Sequence, residues 1–319
     1  MKKILCVLMS CLLFVMAGCS GHSKNLKFGA ADIGGVYYSF ASTFTQLADK
    51  EIDGYTFETK TTAGSVANLR LISDGYIDLA IVQADLLSDA YNATGTFADK
   101  KYQKGYKAVA SLYTECCQIV VRKDSGITGI DDLINKTVSV GASESGSEKN
   151  AEQILKMSGI TDELINKVNM DYTEAAEKLK AGEIDAFFCT AGTRTEVIGQ
   201  LSKECDICLI SLDDKCIDKM LSAYSLCEKY TIPAGTYNGQ DSDVTTIGVK
   251  AVLIAKQSLS DDVIKNVTKT IYEHADDFKY ATSLDISFDI NTAADGVDIP
   301  FHSGAAAYYA EHGINVLTE

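Results

Sequence analysis

The feature that most constrains this chain is a unit written twice. Near the start, Leu26-Lys27-Phe28 reads as a short strand running into Gly29-Ala30-Ala31-Asp32-Ile33-Gly34. Later, Thr137-Val138-Ser139-Val140 runs into Gly141-Ala142-Ser143-Glu144-Ser145-Gly146. Each then opens an amphipathic helix, with Phe40, Phe44 and Leu47 at helical spacing in the first and Ala151, Ile154 and Leu155 in the second, before Gly159 stops it. A further element recurs: Asp74-Gly75-Tyr76-Ile77-Asp78-Leu79-Ala80-Ile81 matches Ala181-Gly182-Glu183-Ile184-Asp185-Ala186-Phe187-Phe188. In both, a helix ends at glycine and a buried apolar strand follows. Between these elements lies a strand-helix step, 55–60 then 64–72 in one copy and 168–172 then 174–180 in the other. Two β-α-β-α-β copies about 110 residues apart predict two similar α/β lobes.

The length, 319 residues, suits two domain-sized units. The chain is expected to cross between them twice, with lobe one formed by residues 26–113 and 248–319 and lobe two by 114–247. Apolar strands at 118–122 and 245–255 suit the hinge. The last long helix is predicted over 261–278, capped by Ser260, with Val263, Ile264, Val267 and Ile271 facing the core. A formal charge of −15 argues against nucleic-acid binding, which needs clustered Lys and Arg. With 46% hydrophobic residues and two prolines, the chain is not of the disordered class. No internal apolar run approaches the roughly 20 residues of a membrane-spanning helix.

The N-terminus reads as a secretory signal. Met1-Lys2-Lys3 is a basic start, and residues 4–16 are an almost unbroken apolar stretch too short to span a bilayer. It ends in Met16-Ala17-Gly18-Cys19, which resembles a bacterial lipobox with Met where Leu is preferred. Residues 1–18 are therefore expected to be removed, leaving Cys19 lipidated and 19–25 as a polar tether; a simple cleaved signal or a single anchor helix is the alternative. Losing Lys2 and Lys3 takes the charge from −15 to −17. The protein would then be extracytoplasmic, on the cell surface or in the periplasm, held at the membrane by its lipid anchor.

In open α/β sheets, ligands sit beyond the carboxyl ends of the strands, against helix N-termini whose free N–H groups and dipole attract anions. Three such ends here carry small or hydroxyl residues: Gly34-Gly35, Thr61-Thr62-Ala63-Gly64-Ser65 and Ser145-Gly146-Ser147. Ordinary capping explains any one of them. Three ends in two matched lobes point to a shared carboxylate-binding cleft. Beyond Cys19, the mature chain keeps seven cysteines, an odd number that cannot pair fully within one chain. Cys205-Asp206-Ile207-Cys208 is compatible with a redox pair, half a zinc site or neither; it leads into Leu209-Ile210, and no second CxxC or His pair completes a metal site. His22, His274, His302 and His312 all lie outside the repeated loops. No nucleophile, zinc-protease or phosphate-loop motif appears, and no base accompanies Ser145-Gly146-Ser147. A non-enzymatic protein without a cofactor or metal is expected.

Several collinear segments extend this reading: Gly34-Gly35-Val36-Tyr37-Tyr38, Thr62-Ala63-Gly64-Ser65-Val66-Ala67-Asn68-Leu69-Arg70, Asp78-Leu79-Ala80-Ile81-Val82-Gln83-Ala84-Asp85 and Ala110-Ser111-Leu112-Tyr113. Val121-Arg122-Lys123-Asp124-Ser125-Gly126-Ile127, Thr190-Ala191-Gly192-Thr193 and Ile232-Pro233-Ala234-Gly235-Thr236-Tyr237 follow in order. Together they resemble the TAXI family of solute-binding proteins from tripartite ATP-independent periplasmic (TRAP) transporters, over residues 26 to 313. The resemblance implies a two-lobed α/β fold of the type II periplasmic-binding-protein class, with a hinge that closes on an amino acid such as glutamate or glutamine, or on a dicarboxylate. Its partner would be a TRAP membrane permease driven by an ion gradient. A sensor, or a receptor for an ATP-driven importer, would share the fold.

Carried over residue by residue, the ligand-binding set implied is Gly35, Tyr37, Thr62, Gly64, Ser65 and Gln83 in one lobe. Ser145, Gly146, Ser147, Thr190 and Gly192 face them, with Tyr113 near the hinge. Tyr37 and Tyr113 either wall the ligand or pack in the core. The family pattern continues with Pro after Thr193, where this chain has Arg194. Arg194 is either a bidentate contact to a distal carboxylate, favouring a dicarboxylate, or a solvated surface arginine. Arg70, Arg122 and His302 read as structural.

Overall fold

The computed structural model describes residues 23–98, 105–283 and 288–319. The signal segment and the lipidation residue Cys19 lie outside the described residues. The first half contains β1 (Lys24–Gly29), α1 (Val36–Glu51), β2 (Tyr55–Lys60), α2 (Ser65–Ser73), β3 (Leu79–Gln83) and α3 (Ala84–Asn92). The long β4 (Tyr106–Arg122) leads into β5 (Thr137–Ser139), α4 (Gly146–Ser158), β6 (Asn166–Val168), α5 (Tyr172–Ala181) and β7 (Ala186–Ala191). After α6 (Glu196–Glu204), β8 (Ile207–Leu209), α7 (Asp214–Ala223) and β9 (Cys227–Ile232), the long β10 (Val244–Lys256) returns to the first half. The chain closes with α8 (Asp261–Glu273), α9 (Ala275–Thr282) and α10 (Ser303–Glu311). No helix among the described residues is long and apolar enough to cross a membrane.

Among the described residues, ten strands form one mixed sheet whose main path runs β2-β1-β3-β10-β4-β7-β5-β6. The two ends of that path, β2-β1-β3 and β6-β5-β7, are parallel triplets with the same strand order. The duplicated sequence is therefore a duplicated βαβαβ layout, and the whole is a two-lobed type II periplasmic-binding-protein fold. Between the triplets, β10 and β4 pair antiparallel from Gly248↔Cys116 to Lys256↔Tyr106. β10 hands on to β3 (Ala251↔Gln83) and β4 to β7 (Cys116↔Ala191). The boundaries drawn from sequence, after Tyr113 and after Ile247, fall inside these two strands.

The repeated Ile-Asp pair has a backbone role. Asp78 Oδ2 accepts from Lys27 N–H at 2.9 Å, and Asp185 Oδ2 accepts from Thr137 N–H at 2.8 Å. Each acid lies one residue ahead of its own strand and satisfies an N–H of the neighbouring parallel strand just before the two begin to pair, at Phe28↔Leu79 and Val138↔Ala186. The strand predicted from Leu26 begins at Lys24, inside the expected tether, because Lys24 and Asn25 pair with Tyr55 and Thr56 in the parallel ladder, and the Thr56 hydroxyl donates to Asn25 Oδ1. The helix predicted over 261–278 is broken. Its residue His274 leaves the helical conformation (φ −113°, ψ 29°) and lies between Glu51 Oε1 at 2.6 Å and Asp277 Oδ2 at 3.0 Å. Ser260 occupies the N-cap position of α8, but its side chain makes no capping bond. His302, by contrast, caps α10 by accepting the Gly304 N–H through Nδ1 at 3.2 Å. Cys205 follows the end of α6, Cys208 lies in β8, and all seven described cysteines are free thiols. Among the described residues, no group of three or more His, Cys, Asp or Glu is placed to hold a metal ion.

Candidate functional site

The carboxyl ends of β1, β3 and β7 and the starts of α1, α2, α4 and α5 meet at one cleft between the halves. Its walls bring together nine residues of the sequence-derived set: Gly35, Tyr37, Gly64, Ser65, Gln83, Ser145, Gly146, Ser147 and Thr190. The cleft spans about 420 Å³ counting its open mouth, yet only about 30 Å³ is wide enough for the centre of a water molecule. That is room for about two waters, so the halves are drawn together.

Contacts across the cleft hold this arrangement. Ala67 N–H donates to Glu144 O at 3.1 Å, and Gln83 Nε2 donates to Asn150 Oδ1 at 3.0 Å. At the rim, Arg70 grips Glu144 through Nε at 3.0 Å and a terminal nitrogen at 2.6 Å. Gly146 is needed for the fit: a β-carbon there would run into the Gln83 amide. Gly64, at φ 120°, adopts a backbone that side-chain-bearing residues rarely reach, and brings its chain against Ser145.

Each half places one tyrosine and one serine at the same two helix starts, but exchanged. In the first half Tyr37 is the second residue of α1 and Ser65 the first of α2; in the second half Ser147 is the second of α4 and Tyr172 the first of α5. Each serine then fixes the end of its third strand. Ser65 Oγ accepts the Gln83 N–H at 3.1 Å, and Ser147 Oγ accepts the Thr190 N–H at 2.8 Å. Ser147 Oγ also lies 2.6 Å from the Tyr172 hydroxyl, which donates to Thr190 O at 3.0 Å. The Tyr37 hydroxyl instead donates to Glu115 Oε2 at 2.8 Å.

Glu115, on β4 and 2% exposed, lines the cleft although no repeated loop carries it. Its signal was a single acid in the long apolar run of residues 108–121. Burial pushes its carboxyl up to about 8, against the pull of the Tyr37 and Gln83 hydrogen bonds. Asp32 and Tyr172 also line the cleft and went unread in the sequence. Burial and the neighbouring Asp171 raise Asp32 to about 6, while the Tyr172 backbone N–H favours its charged form. Burial also holds the Tyr37, Tyr113 and Tyr172 phenols well above their ordinary value. Two cleft atoms, Gln83 Oε1 and Thr190 Oγ1, are buried with no hydrogen-bond partner.

Four expected site residues lie elsewhere. The Thr62 hydroxyl sits 3.0 Å from Ala30 O and 2.8 Å from Asn68 Oδ1, and it accepts the Gly64 N–H, so it shapes its loop and does not face the cleft. Tyr113 does not line the cleft; it is buried beside the cleft residues Tyr37, Glu115 and Tyr172, its hydroxyl unpartnered. The Gly192 carbonyl accepts from the Thr195 hydroxyl just before α6. Arg194 is exposed, in a left-handed conformation (φ 64°), and with Glu196 and Lys203 it lines a neighbouring surface groove that shares Gly35 and Val36 with the cleft.

The profile of the NMT1-like family matches residues 28–313, nearly the whole described chain. The chain belongs to the NMT1-like family. Solved structures share the fold of this NMT1-like protein at low identity. PhnD1 from Prochlorococcus marinus (MIT 9301), in complex with methylphosphonate, is 12% identical with a TM-score of 0.58, covering 83% of this chain and 93% of its own. A putative L-cystine ABC transporter protein from Listeria monocytogenes is 14% identical with a TM-score of 0.52, covering 82% and 94%. An ancestral arginine-binding protein bound to arginine is 15% identical with a TM-score of 0.50, covering 81% and 98%.

Proposed function

We propose that this protein is an extracytoplasmic solute receptor that closes on one small carboxylate-bearing solute, an amino acid or a dicarboxylate, and performs no chemistry on it. One observation carries the reading: helix starts from two matched halves converge on a cleft drawn almost shut. The starts at Gly35 and Gly64 have no side-chain cap. Gly35 N–H goes to Asp32 O, Gly64 N–H to Thr62 and Ala67 N–H to Glu144 O, and the other first-turn N–H groups are the ones offered to a ligand carboxylate. Free exchange of solute requires the halves to part, and the hinge falls where β4 and β10 pass between them, near Tyr113 and Ile247. The methylphosphonate and arginine held by the two structural neighbours fit a small polar ligand.

The lipobox-like Met16-Ala17-Gly18-Cys19 supports anchoring through Cys19, and the collinear TAXI-like segments support a TRAP-type permease as partner. A thermal-shift panel of amino acids, keto acids and dicarboxylates tests the receptor. A ligand at about 100 times its Kd adds about 2.7 kcal/mol of stability. No shift with any compound counts against this ligand class, and turnover of a bound compound counts against a passive receptor. In proteoliposomes carrying the permease, uptake should need an ion gradient; a need for ATP would overturn the TRAP assignment.

A further inference from the structure

Glu115 is a buried carboxyl whose surroundings supply no cation. The groups that face it are Tyr37 on α1, Tyr113 and Cys116 on β4, Asp85 at the start of α3, Tyr172 on α5 and Cys189 on β7. None carries positive charge. Among the described residues no Lys, Arg or His lines the cleft, while Asp32 adds a second acid. A carboxylate accepts about four hydrogen bonds, and leaving it buried and unpaired is costly. Gln83 Oε1, an acceptor that is 1% exposed, and Thr190 Oγ1, a hydroxyl able to donate or accept that is 4% exposed, border the same cleft without partners. One part of the cleft thus gathers acceptors and acid, and the helix starts supply donors.

Resting on the receptor reading, we propose that the cleft is built for a zwitterion: Glu115, with Gln83 Oε1, receives the ammonium group of an α-amino acid whose carboxylate lies against the helix starts. Glu115 here is the specificity residue that separates amino acids from the corresponding amine-free acids. A dicarboxylate would set a second anion against Glu115 and Asp32 without a cation to offset it. The ammonium keeps Glu115 ionised, so binding at neutral pH releases a proton that the free protein holds there.

Calorimetric titration of the full chain tests this with matched probes: L-glutamate against glutarate and 2-oxoglutarate, and L-alanine against propionate. At least one amino acid should bind at least about 100-fold more tightly than its amine-free partner, as expected for a buried charge pair that loses one member. Titration in two buffers of different ionisation enthalpy should register proton release near pH 7. Glu115→Gln should abolish both the preference and the proton release. Amine-free acids binding as well as the amino acids, or a folded Glu115→Gln protein keeping the preference, overturns the ammonium assignment and leaves the receptor intact. Silence from every probe overturns both. The comparison of wild-type ligands needs no variant, so a Glu115→Gln chain that fails to fold does not shelter the proposal.

Discussion

The two halves of the sheet use the same pieces to opposite ends. In the second half, Ser147, Tyr172 and Thr190 close a ring of hydrogen bonds on themselves, and the tyrosine hydroxyl goes to a backbone carbonyl. In the first half, Ser65 still holds Gln83 N–H, but Tyr37 turns to Glu115 and the Gln83 side chain crosses to Asn150. One half is self-sufficient and the other reaches outward. A duplicated unit can therefore keep one copy as a rigid wall and turn the other into the reading surface, by exchanging two residue types between equivalent helix starts.

The largest effect that would sharpen this contrast is on pH dependence. An unfolded chain gives up the Glu115 proton near 4.5, whereas the folded protein keeps it to about 8. The native state therefore binds more protons in that window, and stability of the free protein should fall as pH rises through it, by at most about 1.4 kcal/mol per pH unit. Glu115→Gln should flatten that slope in urea melts. A slope unchanged by the substitution would show that the outward half does not hold its acid neutral.

Next comes closure. Gly146→Leu places a side chain where the Gln83 amide lies, and should prevent the halves from meeting at a cost of about 1–3 kcal/mol, or roughly 10- to 100-fold in ligand affinity. Solution scattering should show a more open particle in the presence of ligand; wild-type compactness would break the idea that Gln83 is the reaching element.

The two serines give a direct comparison of the halves. Ser147→Ala strips the Thr190 N–H of its acceptor and the Tyr172 hydroxyl of its neighbour, while Ser65→Ala orphans the Gln83 N–H. Ser147→Ala should cost about 1–3 kcal/mol and exceed Ser65→Ala by about 1 kcal/mol in denaturant melts. Equal costs would mean that the second half is no more closed than the first. The smallest effect belongs to Arg70→Ala. Its pair with Glu144 is about two-fifths exposed on each side, so its loss should change stability by less than about 1 kcal/mol and should speed ligand release a few-fold. An unchanged release rate would remove the rim contact from the closing mechanism.

Sequence repetition made the fold readable because strand, glycine and helix recur in one order, and matching segments bury in matching ways. The cleft was readable as far as its loops repeat: Gly64, Ser65, Ser145, Gly146 and Ser147 all line it. What stayed hidden depends on pairing in space. Thr62 and Gly192 look like ligand contacts until the Thr62 hydroxyl is seen to engage Ala30 O and Asn68, and the Gly192 carbonyl to accept from Thr195. Glu115 and Tyr172 lie outside the strand-end loops, on a strand and at a helix start that tertiary packing alone turns toward the cleft. Sequence offered two readings of Arg194, and its exposure fits the surface arginine.

The passage of β4 from one half to the other has a mechanical meaning. Glu115 pairs with Val249 beside Cys116, which meets both Gly248 and Ala191, so the acid sits where the sheet changes hands. If the halves swing as proposed, a point on that axis travels least while the loops at either side travel farthest. The anchor for one end of the ligand would then stay in place in open and shut forms alike. Capture would begin at the pivot and finish at the rim, and the ligand itself would serve as the pin about which the two leaves fold.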